Sequence, residues 1–130
     1  MVNERRRVSR RVFSYYMPVN EAASSKQFGI LTDISSAGFK VDSQVCIPVG
    51  QVEHLRLIIP PEISSQASIV FSARCVWCHA DEIEPSVFNI GFEVVALSRG
   101  DALIYQRVLD KYGSQKNNIE GFQDNYFWRS

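Results

Sequence analysis

The sequence predicts a mainly β domain: six short antiparallel strands, closed as a barrel or packed as a sandwich, followed by one C-terminal α-helix. Three observations predict it. Apolar residues recur with a period of two in successive runs, turn-forming residues separate those runs, and the helical period appears once, near the end. Strands that succeed one another with no helix between them pair antiparallel. Closing them on themselves also removes exposed edges.

The first alternating run spans residues 12–19, with Phe13, Tyr15, Met17 and Val19 on one side and Ser14, Tyr16 and Pro18 on the other. Residues 20–26 are small and polar and read as a loop. The second strand, residues 28–35, places Phe28, Ile30, Thr32 and Ile34 on one face. A turn at Ser35-Ser36-Ala37-Gly38 leads into a short third strand at 39–42. After Pro48-Val49-Gly50, the fourth strand alternates through Leu55, Leu57 and Ile59, and Pro60-Pro61 stops it. The fifth, residues 66–80, is the longest, with Ile69, Phe71, Ala73, Cys75 and Trp77 on one face. An acidic turn containing Pro85 precedes the sixth, residues 87–97. There Phe88, Ile90, Phe92 and Val94 point inward, and Asn89, Gly91 and Glu93 outward.

Ser98 is placed to cap the helix, with Asp101 at the third position completing a capping box and Leu97 and Ala102 forming a staple. Leu103, Tyr105, Val108, Leu109 and Tyr112 make its apolar stripe, suited to packing on the strands, and Gly113 stops it. The tail, residues 114–130, ends Tyr126-Phe127-Trp128, three aromatics that suit packing back on the strands or meeting a partner.

Composition narrows the function classes. The 130 residues suit one domain, and 45% hydrophobic with 22% charged is ordinary for a soluble globule. No apolar run approaches the roughly 18 residues of a membrane span, and no signal-peptide core succeeds the basic start, so a cytoplasmic protein is expected. Three cysteines argue against a disulfide framework. Cys75-Val76-Trp77-Cys78 spells C-x-x-C, but a redox pair of that kind opens a helix, and this one lies in a strand. A zinc site would need Cys46, His54 or His79 as additions, with no second paired motif, so strand cysteines without metal are expected. No nucleophile elbow or phosphate-cradling glycine loop is present, and no enzyme is expected.

Charge is the strongest functional signal. Five of the ten arginines fall in Glu4-Arg5-Arg6-Arg7-Val8-Ser9-Arg10-Arg11, giving residues 1–11 a net charge of +4. The other 119 residues hold nine basic and thirteen acidic side chains, a net of −4. A positive pole on an acidic body points to a compact anionic partner. Guanidinium forks pair with phosphate oxygens and with the O6/N7 edge of guanine. The plainer reading of the octet is a solubilising terminal arm. The acidic body disfavours a nucleic-acid-binding barrel with a basic arm, which would need a broad basic face. A second stretch, Asp33-Ile34-Ser35-Ser36-Ala37-Gly38, carries a carboxylate, a hydroxyl and a glycine at offsets zero, two and five. In a strand Asp33 and Ser35 share a face. Gly38 then allows a turn through positive φ. By itself this spacing is a common hairpin turn.

Arginine at i and i+4, with Asp-x-Ser-x-x-Gly some 22 residues later, resembles the PilZ domain, the bacterial receptor module for cyclic di-GMP. Arg6 and Arg10 fit the first half of that signature, and Asp33, Ser35 and Gly38 the second. Arg7 and Arg11 offer the same spacing. The resemblance covers residues 4 to about 112 and implies a six-stranded barrel with a C-terminal helix. It divides the chain into a basic arm (1–11), barrel and helix (12–113) and tail (114–130). It also implies a monomeric receptor that binds cyclic di-GMP and signals to an unidentified downstream protein. Motility, adhesion, polysaccharide export and virulence are all family settings. The ligand-contact residues expected are Arg5, Arg6, Arg7, Arg10, Asp33, Ser35 and Gly38. Trp77 is a candidate for base stacking, the alternative being a core position. In the family an arginine at the position of Arg5 goes with an intercalated ligand dimer, which implies two ligand molecules per chain. A degenerate barrel that binds only protein is the remaining alternative, and the retention of Asp33, Ser35 and Gly38 argues against it.

Overall fold

The computed structural model describes residues 16–113. The strands are β1 (Pro18–Glu21), β2 (Gln27–Ile34), β3 (Gly38–Ser43), β4 (Val52–Ile58), β5 (Ser68–Ala80) and β6 (Phe88–Leu97), and then comes α1 (Arg99–Tyr112). All pair antiparallel, in the closed order β1-β2-β3-β6-β5-β4. The barrel and its single C-terminal helix match the expected architecture. The basic arm and the aromatic tail lie outside the described residues, as do Phe13, Ser14 and Tyr15 of the first alternating run.

Alternation fills the interior. Met17 and Val19, Phe39 and Val41, Leu55 and Leu57, Ile69, Phe71, Ala73 and Cys75, and Ile90 and Phe92 are all buried. Phe39 stacks on Phe92 at 5.2 Å between centroids and meets Phe71 edge-on at 5.4 Å. Ile59 is also buried, directly before the prolines that end β4.

Four register shifts interrupt the ladders, at Val19/Asn20, Leu31/Asp33, Ser72/Ala73 and Cys75/Trp77, and the second and fourth bear on the outer face of β2, β3, β6 and β5. In β2, Leu31 pairs with Val41 but Asp33 pairs with Lys40, so Thr32 is an extra residue. In β5, Cys75 pairs with Phe92 but Trp77 pairs with Gly91, so Val76 is extra. Each bulge reverses the facing of the residues beyond it. The expected inward set of β2 is therefore corrected. Leu31 and Ile34 are buried, Phe28 packs edge-on to Phe92 at 6.0 Å, and Ile30 lies outside the core cluster. Trp77, expected to share the inward face with Cys75, turns outward instead, over Gly91. Gly38 also departs from expectation. It has no positive φ; among the described glycines only Gly50 does, in the turn before β4.

Helix α1 is capped as expected on one side, with Asp101 N–H donating to Ser98 Oγ at 3.2 Å. The Asp101 carboxylate does not reach back to close the box. It accepts from Gln66 Nε2 at 2.9 Å, tying the helix start to the β4–β5 connection. The buried stripe is Ile104, Tyr105, Val108 and Leu109, whereas Leu103 is 65% exposed. The stripe is thus rotated by one residue from the expected one at its start. Gly113 N–H caps the end on Leu109 O.

The cysteines hold a correction as well. Gly50 N–H donates to Cys75 O, and Cys75 N–H to Gln51 O, which lays the loop before β4 along β5. Cys46 is thereby brought beside Cys78. The two form a disulfide with Cα atoms 6.2 Å apart, and Cys75 stays a buried free thiol. Desolvation pushes the Cys75 thiol above its ordinary pKa.

Two outcomes are expected of the folded protein. The Tyr105 hydroxyl donates to the backbone carbonyls of Ser35 and Gly38, so Tyr105→Phe should lower stability by about 1–3 kcal/mol in urea unfolding, because a buried carbonyl loses its donor; an unchanged midpoint would contradict these bonds. Protein denatured without reductant should titrate one thiol, and three after reduction; three without reductant would exclude the Cys46–Cys78 bond.

Candidate functional site

The two bulges act on the same place. The strand registers run Asp33 to Lys40, Lys40 to Gly91 and Gly91 to Trp77, one lateral row across β2, β3, β6 and β5. Because Phe39, Val41, Ile90 and Phe92 face the core, Lys40 and Gly91 face outward, and Asp33 and Trp77 join them there. Residues 44 positions apart in sequence thus share one strip of outer surface.

Gly91 shapes the middle of the strip. A Cβ there would stand 2.5 Å from Trp77 Cε2 and 2.6 Å from Trp77 Nε1, so any other residue would push the indole away. The indole lies in that gap. His79, two residues on, stacks on it at 4.9 Å with 9° between planes. On the other side of the gap, Lys40 Nζ lies 5.9 Å from the Trp77 ring, near the outer limit of a cation–π contact. The Trp77 indole N–H is buried and has no hydrogen-bond partner among the described residues.

Flanking rows are polar. On one side, Asn89 Nδ2 donates to Asp42 Oδ1 at 2.8 Å, with His79 the next residue across. On the other, Arg74 pairs with Glu93 at 2.7 Å, about two-fifths exposed, so the pair contributes little stability. Among the described residues no cluster of His, Cys, Asp and Glu has the geometry to hold a metal.

The Asp-x-Ser-x-x-Gly stretch forms the β2–β3 connection. Asp33 Oδ1 accepts from Ile34 N–H at 2.8 Å. Ser35 is turned in and only 1% exposed. Its hydroxyl donates to Gly38 O at 3.4 Å and accepts from Ala37 N–H at 3.3 Å, while its own N–H donates to Gly38 O at 2.8 Å. Beneath the turn, Tyr105 Oη reaches both Ser35 O (2.9 Å) and Gly38 O (3.1 Å). Burial raises the Tyr105 hydroxyl well above the ordinary phenol pKa, so it stays a donor. The helix therefore fixes the turn from inside, and the turn sets where Asp33 stands.

Of the residues singled out from sequence, Asp33 and Trp77 come together in the row, and Ser35 and Gly38 build the turn beside it. Arg5, Arg6, Arg7 and Arg10 lie outside the described residues. Sequence reasoning missed Lys40 and His79 as site residues and gave Gly91 an outward facing without a role. The available signals were Lys40 two residues beyond the glycine of the motif, and a lone glycine inside a strand between Asn89 and Glu93, which marks close approach.

No curated protein matches the chain. Among solved structures it is similar to the Bacillus subtilis inhibitor of motility (MotI/DgrA), with a TM-score of 0.61 and 17% identity over 79% of this chain and 48% of that one. The chain therefore spans about half the length of that protein. It is also similar to the PilZ domain of YcgR from Escherichia coli, a structure with c-di-GMP, with a TM-score of 0.53 and 13% identity over 82% of this chain and 86% of that one. At these identities the likenesses bear on the fold alone. The sequence model of the PilZ domain matches residues 4–111, a span that takes in the arginine octet, all six strands and nearly all of α1. Matched over most of its length, and folded as the six-stranded barrel that the match implies, the chain belongs to the PilZ domain family.

Proposed function

We propose that this domain is a receptor for cyclic di-GMP that binds the ligand on the outer face of β2, β3, β6 and β5. The observation that carries the reading is the Asp33–Lys40–Gly91–Trp77 row: a carboxylate, a cation, a gap in the side chains and a half-buried indole in lateral register. The YcgR domain solved with c-di-GMP supports it by fold.

In this reading Asp33 accepts from guanine N1–H and N2–H, and Trp77 offers a flat surface for a base. Ser35 and Gly38 hold the turn that presents Asp33, and the Ser35 hydroxyl is already engaged there. Arg6 and Arg10 supply charge-assisted bonds to phosphate or to guanine O6/N7, and Arg5 and Arg7 add to the positive field. An arm with five like charges repels itself. Neutralisation by a doubly charged ligand docks it on the barrel, and a partner protein reads the altered surface. The ligand is sensed and not hydrolysed. Arg5 favours two ligand molecules per chain.

Titration calorimetry tests the reading. Wild type should bind cyclic di-GMP with micromolar or tighter affinity and a ratio of two ligands per chain. Arg6→Ala/Arg10→Ala should weaken binding by about 100-fold or more, each lost charge-assisted bond being worth about 1.5–3 kcal/mol. Heat equal to buffer dilution for the wild type would overturn it.

A further inference from the structure

We propose that Lys40 is the residue that selects guanine over adenine in the bound dinucleotide. The inference rests on the cyclic di-GMP reading and adds to it a specificity determinant.

Lys40 and Asp33 are directly opposed across β2 and β3, on the outer face. Opposed side chains in such a pair have Cβ atoms about 4.5–5.5 Å apart. The bulge at Thr32 creates this opposition; an unbroken β2 would put Asp33 on the other face. The surface therefore presents an acceptor and a donor side by side, beside an indole. Guanine carries the complementary set on two adjoining edges, donors at N1–H and N2–H on the Watson–Crick edge and acceptors at O6 and N7 on the Hoogsteen edge. With Asp33 accepting from the first pair, the ammonium of Lys40 is positioned to donate to O6 and N7. Adenine inverts the arrangement. Its N6 amino group would meet the ammonium, donor against donor, and its unprotonated N1 would meet the carboxylate.

The position of Trp77 fixes the distance scale. Lys40 Nζ is 5.9 Å from the indole centre across the Gly91 gap, so a base seated beside the indole has its edge within reach of the ammonium. Lysine suits the task because its compact charge lies on a long stem that adjusts to one edge.

The test compares wild type, Lys40→Met and Lys40→Arg in calorimetric titrations with cyclic di-GMP and with cyclic di-AMP, at low and moderate salt, after thermal melts show that the variants fold. Lys40→Met should lose about tenfold in affinity for cyclic di-GMP and narrow the ratio of the two ligands by a similar factor, while Lys40→Arg keeps most of both. Equal weakening toward both ligands, with a shallower salt dependence, would make Lys40 a phosphate contact and overturn the proposal. Unchanged Lys40→Met binding would overturn it and leave the receptor reading standing. Failure of the wild type to bind cyclic di-GMP would remove both.

Discussion

One extra residue in each of two strands determines what this barrel shows to its surroundings. Thr32 in β2 and Val76 in β5 interrupt the pleat just before Asp33 and Trp77. Without these bulges the period of two would carry both residues to the opposite faces, Trp77 into a core already filled by Phe39, Phe71 and Phe92. With them, Asp33 and Trp77 stand on the outer surface at the same level of the barrel, joined by Lys40 and Gly91. A bulge costs a ladder bond and twists the strand. Here two such costs converge on one row, which is why that row is the candidate site.

The rest of the molecule supports the row from beneath. The aromatic core of Phe39, Phe71 and Phe92 lies under β3, β5 and β6 and holds the sheet that carries Lys40, Trp77 and Gly91. Helix α1 reaches the other end through Tyr105, whose hydroxyl meets the two carbonyls that bracket the β2–β3 turn. The Cys46–Cys78 bond anchors the loop before β4 to the residue next to Trp77. Core packing, helix docking and the loop tether therefore all bear on the residues proposed to meet the ligand.

Much of this was legible in the sequence. Periodicity located β2 to β6 and the helix within two residues, because burial on one face enforces alternation wherever the ladder is regular; the first strand, expected over 12–19, instead spans Pro18–Glu21 and takes in the start of the stretch read as a loop. It failed at 30–34 and at Trp77 because a bulge inserts a residue without any change in local composition. The rotated helix stripe, with Ile104 buried and Leu103 exposed, has a similar cause: both residues are apolar, and only the packing partner decides between them. The disulfide was illegible because counting cysteines says nothing of a loop laid along a strand by two backbone bonds at Cys75. The Asp-x-Ser-x-x-Gly spacing did locate the turn, although its serine faces inward and its glycine is extended, so that the motif acts as scaffold for Asp33 as much as contact surface.

The central claim is that ligand meets protein along the outer strip from Asp33 to Trp77. Amide chemical-shift mapping of isotopically labelled protein during titration with cyclic di-GMP tests it most directly. The account predicts the largest shifts at Asp33, Lys40, Gly91 and the backbone and indole N–H of Trp77, with β1 and β4 little changed. Shifts centred on β1 and β4 and sparing that strip would contradict it.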